Sequence, residues 1–539
     1  KELGQLDKAV ASYRRAVALK PDYADAYYNL GNVLMDIRKL DESIASYRRA
    51  VELRPNFVDA HNNLGTSLKE LGQFDNAMAS YRRVLEIKPD FAEAYGNIGS
   101  ILKDIGQIDG AIASYQHALT LKPEYTDAQS SLLFIMNYTS SRTTSYRLEE
   151  ARRYGVLVSS KVAARFSSWQ CTATPERLRV GLVSGDLRNH PVGYFLESLL
   201  AHIDPARIEL VAYPTQPRED QLTARIKPFF AAWKSLSGLS DEAAARLIHA
   251  DGVHVLMDLS GHSRHGRLPM FAWKPAPVQA AWLGYFATTG VSEIDYLLAD
   301  PVGVPEDHRE HFTETVWYLP DTRLCFSPPD TDLPVAPLPA QNSGHVTFGC
   351  FQNMAKADDE VLAAWSDILV ALPGSRLRWQ CKQLGDPAVV KQLIQRLQQH
   401  GIDPARVALL GSVAREAYLA AHSEVDVVLD TFPYPGGTTT CEALWMGVPT
   451  LTLAGDTLLS RQGASLLTAA GLKDWVAVSR QDYFDRALAF AGNLPKLAAL
   501  RVGLREQVLA SPLFDAPRFA HNLEEALWGM WQVHDRPSP

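Results

Sequence analysis

Four prolines, Pro21, Pro55, Pro89 and Pro123, stand 34 residues apart. The same interval separates Tyr13, Tyr47, Tyr81 and Tyr115, and also Gly31, Gly65 and Gly99. Leu6, Leu40, Phe74 and Ile108 keep it too, each followed by an aspartate: Asp7, Asp41, Asp75 and Asp109. A fixed period of this length means one supersecondary unit stacked on copies of itself, because a single unit cannot bury its own apolar face. Within each unit the apolar residues recur at helical spacing in two blocks, and the proline follows the second block. The aspartates are expected to N-cap the second helix. The glycines, with small residues such as Ala45 and Ala79, are expected to let paired helices approach closely.

This is the tetratricopeptide pattern, expected to fill residues 1–135 as an α-solenoid. The chain begins at Lys1, part-way through a unit, so the sequence is silent on what precedes it. Asn29, Asn63 and Asn97 share one position of the first helix in successive units. Stacking would set them in a file along one face. A row of amides can donate to C=O and accept from N–H of an extended peptide without reading its side chains. Helix-surface asparagine is the plainer reading. The expected partner on this face is a polypeptide. In the fourth unit Ser131 replaces the asparagine.

Residues 136–175 read as a helical joint, with a helix expected from Arg147 to Val162. Beyond it strands and helices alternate. Leu178–Ser184, Ile208–Tyr213 and Val253–Leu259 are apolar runs of strand length, as are 346–348, 376–380, 407–410, 427–429 and 449–453. A segment rich in proline, 327–342, separates two such series. The fold class expected is therefore α plus α/β: a repeat array, then two Rossmann-like lobes over 176–326 and 343–539. Ligands of doubly wound sheets bind outside the carboxyl ends of the strands, which places a cleft between the lobes. The final helix, 514–531, is expected to return to the first lobe.

The stretch with most chemistry is Asp426 to Pro449. An apolar strand runs into Pro433, Pro435, Gly436 and Gly437, and Thr438, Thr439 and Thr440 open a helix with Glu442 one turn in. Free N–H groups, the helix dipole and neutral hydroxyl donors together suit a phosphate. An ordinary strand-to-helix turn is the plainer reading. Neither a GK[ST] P-loop nor GxGxxG is present. His190 and Lys356 lie just past the first strands of the two lobes, where a proton carrier and a diphosphate counter-charge would face the cleft. His254 lies in an apolar strand, more suited to packing than to reaction. The pairs His262/His265 and His308/His311 lack a completing carboxylate or thiol cluster, so no metal site is expected. GxSxG is absent, which disfavours an α/β-hydrolase. Net charge is −8, which argues against nucleic acid as the main partner. No apolar run is long enough to span a bilayer. The five cysteines are scattered, with no CxxC, which fits a reducing cytoplasm.

The segments SGDLRNHPVG, DGVHVLMDLSGHSRHGR, PAPVQAAWLGYFATTG and DTFPYPGGTTTCEALWMGVPTLTLAG, following such repeats, resemble the O-linked N-acetylglucosamine transferases of glycosyltransferase family 41. The resemblance covers nearly the whole chain. It points to a bacterial homologue, because the long insertion of animal enzymes between the lobes is missing. It implies the GT-B fold and a metal-independent, inverting transfer from UDP-N-acetylglucosamine to Ser or Thr hydroxyls of polypeptides. No cofactor is implied beyond the UDP-sugar co-substrate. By motif, Lys356 resembles the lysine that contacts the donor diphosphate, and Asn353 stands where the family often has glutamine. Thr438 and Thr439 match the diphosphate-holding threonines, with Gly437 in place of the family's histidine. Glu442 matches an acidic residue on the ribose, and Arg415 and Tyr418 a pair near uracil. Trp282 to Gly284 would line the sugar pocket. His190 matches a histidine proposed as general base and also read as substrate-positioning, and it is the base expected here, with the donor's own phosphate as the rival; His254 matches a second such histidine. The alternatives are a family-41 enzyme using another UDP-sugar or an asparagine acceptor, such as UDP-glucose onto asparagine, and a repeat scaffold that binds a nucleotide sugar without turnover.

Overall fold

The computed structural model describes residues 2–535. The chain divides into two compact units, Lys1–Ile135 and Met136–Pro539.

The first unit is all helix: α1 Glu2–Leu19, α2 Ala24–Asp36, α3 Leu40–Leu53, α4 Val58–Glu70, α5 Phe74–Ile87, α6 Ala92–Asp104, α7 Ile108–Leu121 and α8 Thr126–Ile135. The sequence period has a direct packing cause. A Cβ on Gly31 would lie 2.6 Å from the Tyr47 ring, on Gly65 2.7 Å from Tyr81, and on Gly99 3.0 Å from Tyr115. Each buried tyrosine thus lies flat against a bare stretch of the preceding helix. The aspartates do not cap. Asp41, Asp75 and Asp109 lie inside the first turns of α3, α5 and α7, whose N-cap positions are Lys39, Gln73 and Gln107 with no side-chain cap. From the first turn a carboxylate still favours the positive end of the helix dipole. Asp7 lies within α1.

Asn29, Asn63 and Asn97 are all half-buried on the first helices of their units. Two of them bind the neighbouring repeat: Asn63 Nδ2 donates to Asn32 Oδ1 at 2.9 Å, and Asn97 Nδ2 to Asn62 Oδ1 at 3.1 Å. Tyr47 donates to the same Asn32 oxygen at 2.7 Å. The file of amides is therefore first a set of inter-repeat ties.

The second unit contains α9 (Thr144–Ser159), capped by Thr143, and two parallel sheets. The first sheet holds β1 Leu178–Ser184, β2 Ile208–Pro214, β3 Ala232–Trp233, β4 Val255–Asp258, β5 Val278–Ala281, β6 Tyr296–Ala299 and β7 Thr315–Tyr318, in the order β3-β2-β1-β4-β5-β6-β7. The second holds β8 Thr347–Cys350, β9 Arg376–Gln380, β10 Val407–Leu410, β11 Val427–Leu429, β12 Thr450–Leu453 and β13 Val476–Ala477, in the order β10-β9-β8-β11-β12-β13. Both orders reverse beside the first strand of the lobe, at β1/β4 and β8/β11. Those are the switch points where a crevice opens at the carboxyl ends.

The helix Ala516–Asp535 packs on the first lobe. Glu524 accepts from Arg207 Nη1 at 3.1 Å, and Trp282 stacks on Phe519. The proline-rich segment is held as a strap, with Arg501 donating to the Ala336 carbonyl at 2.7 Å and Arg505 to that of Leu333 at 2.8 Å.

Candidate active site

β11 ends at Leu429, and the next residue, Asp430, is fully buried. Its Oδ1 accepts the Gly436 N–H at 2.7 Å and its Oδ2 the Thr452 hydroxyl at 2.7 Å; the Gln352 amide also donates to it. Burial pushes its carboxyl pKa up, opposed by these donors and by the Lys356 charge. One carboxylate thereby closes the loop 430–436. The loop ends tightly: a Cβ on Gly436 would lie 2.4 Å from Thr440 Oγ1 and 2.6 Å from Thr439 Oγ1. The helix Thr438–Trp445 follows, and its first i→i−4 bond runs from Cys441 N–H to the Gly437 carbonyl at 3.1 Å. The N–H groups of Thr438, Thr439 and Thr440 precede that bond and form the usual orphan donors of a helix start. The hydroxyls of Thr438 and Thr440 are buried with no hydrogen-bond partner among the described residues. Leaving a buried hydroxyl unpaired costs roughly 1–3 kcal/mol, a cost an anionic oxygen placed there would remove.

Lys356 supplies the charge. Its Nζ donates to the Pro435 carbonyl at 3.1 Å and lies 3.8 Å from the centre of the Tyr434 ring. Burial lowers its pKa to about 8, with Asp430 pulling the other way. Asn353 caps the short turn Met354–Lys356, accepting from Ala355 N–H at 2.9 Å, and so shapes the turn that carries the lysine. The neighbouring Gln352 is buried and accepts from Thr431 at 2.8 Å. Gln352 and Asp430 were invisible as site residues in the sequence, since their partners are distant along the chain.

Glu442 is buried on the second turn of the same helix. Arg415 bonds one carboxylate oxygen and the Tyr418 hydroxyl the other at 2.8 Å. Burial raises its pKa, opposed by Arg415. The Arg415 guanidinium also lies 5.0 Å from the ring of Tyr194, on helix α10 (Pro191–Leu200) of the first lobe. The structure thus gathers Lys356, Asn353, Gly437, Thr438, Thr439, Glu442, Arg415 and Tyr418 at the carboxyl ends of β8 and β11. Gly284 lies past β5, where a Cβ would stand 2.0 Å from the Leu259 carbonyl oxygen. At Gly437 a Cβ would meet Gln462 Nε2 at 2.9 Å, so a side chain there requires the Gln462 amide to shift.

His190 caps α10. Its Nδ1 accepts the Val192 N–H at 3.4 Å and lies 3.7 Å from Asp186 Oδ2. Burial lowers its pKa, helped by Arg188 and opposed by Asp186. An acceptor Nδ1 leaves the proton of a neutral imidazole on Nε2, which makes that nitrogen a donor.

Two expectations are corrected. His254 precedes β4, at the amino end of the strand and opposite the crevice. Its Nδ1 accepts Arg179 N–H at 2.9 Å and its ring packs edge-on against Trp531, so it is a core histidine. Trp282 is buried, donating from Nε1 to the Arg323 carbonyl at 2.9 Å, and faces the core instead of a sugar pocket. Among the described residues, no group of three or more His, Cys, Asp or Glu is arranged to hold a metal ion. No described helix is long and apolar enough to cross a membrane.

The sequence profile of Glycosyl transferase family 41 matches residues 131–326 and 338–523. The chain belongs to glycosyltransferase family 41. Tetratricopeptide profiles match residues 24–57, 58–91 and 92–125 of this family-41 chain. It is 37% identical over 406 residues, 74% of its length, to a Petunia hybrida protein named probable UDP-N-acetylglucosamine–peptide N-acetylglucosaminyltransferase SPINDLY, and covers 44% of that protein. To the protein of the same enzyme name from Arabidopsis thaliana called SEC it is 30% identical over 370 residues, covering 67% of this chain and 38% of that one. The family-41 chain thus spans less than half the length of these curated relatives. It superposes on a mutant Thermobaculum terrenum O-GlcNAc transferase with a TM-score of 0.88, at 34% identity, over 95% of this chain and 98% of that one.

Proposed function

We infer that this family-41 chain is an inverting glycosyltransferase that moves N-acetylglucosamine from UDP-N-acetylglucosamine to Ser or Thr hydroxyls of polypeptides. The observation that carries the reading is the helix start at Thr438. Its orphan N–H groups and unpartnered threonine hydroxyls follow directly on the loop whose Pro435 carbonyl binds the Lys356 cation, an arrangement suited to a diphosphate. The printed names of the plant relatives and of the solved bacterial enzyme supply the sugar and the peptide acceptor.

In this reading the acceptor oxygen bonds to the anomeric carbon from the face opposite UDP. The bond from that carbon to the diphosphate oxygen breaks and leaves its electron pair on UDP. Lys356 and the helix start stabilise that charge, so the step needs no metal. Glu442, with Arg415 and Tyr418, holds the nucleoside end. His190 carries its proton on Nε2 and acts by donating a hydrogen bond that orients substrate. Of the two expected bases, it is the donor phosphate oxygen that receives the acceptor proton in this reading, in place of His190. The repeat unit presents the polypeptide, using the amide hydrogen-bonding capacity that remains on Asn29, Asn63 and Asn97.

Calorimetric titration of the chain with UDP, UDP-N-acetylglucosamine and UDP-glucose, with and without chelator, tests the donor. Chelator-insensitive binding that favours the N-acetylglucosamine donor is expected. Preference for UDP-glucose would reassign the sugar, and absence of any uridine nucleotide binding would overturn the diphosphate reading.

A further inference from the structure

Gln462 opens the helix Gln462–Ala469 and is 2% exposed. Both ends of its amide are committed. Nε2 donates to the Gly436 carbonyl at 3.2 Å, and Oε1 accepts from Arg323 Nη2 at 2.9 Å. Arg323 stands 139 positions earlier, on the segment leaving β7 of the first lobe, and is 1% exposed. Its guanidinium lies 4.7 Å from the centre of the Phe286 ring, and its Nε is buried with no hydrogen-bond partner. Among the described residues no carboxylate pairs with it. Asp300, the nearby anion, is engaged by the Arg323 backbone N–H at 3.1 Å and by the Ser465 hydroxyl at 2.7 Å.

A buried cation without a paired anion is costly to fold around. Burial lowers its pKa only to about 10, so it stays charged at neutral pH. What it touches is the support of the diphosphate turn. A hydrogen bond from a charged donor polarises the Gln462 amide and strengthens its own bond to Gly436. In a trans peptide the C=O and N–H point to opposite sides. Holding the Gly436 carbonyl on Gln462 therefore turns the Gly437 N–H away from it, as the first donor ahead of the helix.

We propose that Arg323 and Gln462 are positioning residues for the diphosphate of the nucleotide: they aim the Gly437 N–H and add a fixed positive charge behind the turn. The proposal rests on the reading of the Thr438 helix start as a diphosphate site. It also makes the donor site depend on a residue from the junction of the two lobes.

The test compares the affinities of UDP and uridine for the full chain, by calorimetry and competition, with thermal midpoints recorded. The ratio of the two affinities isolates what the phosphates contribute. Gln462→Met and Arg323→Met should each lower that ratio about tenfold, with uridine affinity within about twofold of the parent. Gln462→Glu, which loses the donor to Gly436 and neutralises the guanidinium, should lower it further. Arg323→Lys should recover most of the loss. An unchanged ratio in folded Gln462→Met and Gln462→Glu overturns the proposal, as does an equal loss for UDP and uridine. If Arg323→Met fails to fold, the two Gln462 variants decide. A parent chain without UDP affinity overturns the diphosphate reading itself, and this proposal with it.

Discussion

At the scale of single residues the site depends on a few buried polar groups whose partners are unequal in reach. Lys356 is held between a carbonyl and an aromatic ring, with burial lowering its pKa to about 8. The cation that a diphosphate needs is present below that pH and lost above it. The kcat/KM for the donor is therefore expected to be flat near neutrality and to fall as pH rises through about 8. Lys356→Ala should reduce kcat by roughly 10²–10³-fold, as for removal of other charge-stabilising groups, and should abolish that alkaline limb. Near-normal turnover would refute the assignment. Asp430 acts one step behind. Asp430→Asn replaces an acceptor facing Gly436 N–H and Thr452 with a group that can present N–H to N–H. The expected loss is about 1–3 kcal/mol, visible as a lower thermal midpoint together with weaker UDP binding. A loss of stability with unchanged UDP affinity would remove Asp430 from the site's support.

At the scale of elements, the repeat helices are spaced by glycine–tyrosine contacts. Gly65→Ala puts a methyl 2.7 Å from the Tyr81 ring, and Tyr81 is fully buried. Overpacking of this kind costs about 1–3 kcal/mol, so the variant should melt the repeat unit at lower temperature, read by circular dichroism. An unaltered melt would mean that the helices separate freely. The asparagines belong to the same elements but bridge them. Because Asn63 and Asn97 tie neighbouring repeats, an Asn29/Asn63/Asn97→Ala triple variant should lose stability as well as preference for long acceptors. Equal glycosylation of long and short acceptors by parent and variant would exclude the ladder as a peptide grip.

At the scale of the whole molecule, histidines buried neutral in both lobes make the fold acid-sensitive, against buried carboxyls such as Asp258 that act the other way. His262 is enclosed in the first lobe, where burial lowers its pKa to about 4, and His422 in the second, where burial lowers it to about 3. Both values lie below the unfolded value of about 6.5. The unfolded chain therefore binds protons that the folded chain refuses. The histidine contribution is fully present above about pH 6.5 and declines as pH falls towards 4, by up to about 1.4 kcal/mol per pH unit for each proton. Asp258, whose carboxyl burial raises to about 7, gains stability over the same range, so the histidine contribution is read as a difference: relative to the parent, a His422→Gln variant should lose less thermal midpoint, or gain more, between pH 7 and pH 5. An identical pH dependence in variant and parent would contradict the burial of the His422 ring as a neutral group.

Periodicity alone determined the repeat array, and apolar runs determined β1, β2, β4 and β8 to β12 and the three loops that carry His190, Lys356 and Thr438. These features are local: burial on one face repeats along the chain at the pitch of its own element. The short strands β3, β5, β6, β7 and β13 escaped, because runs of two to four residues beside prolines or alanines carry too little pattern. The direction of a side chain escaped as well. His254 and Trp282 looked like site residues and turned to the core, where Trp531 and Phe519 of the final helix receive them. Only the tertiary structure could bring Gln352 to Asp430 across 78 positions, or Arg323 to Gln462 across 139. A hydrogen bond between distant residues exists only once both sheets are in place, so its partners carry no signal in the sequence that precedes folding.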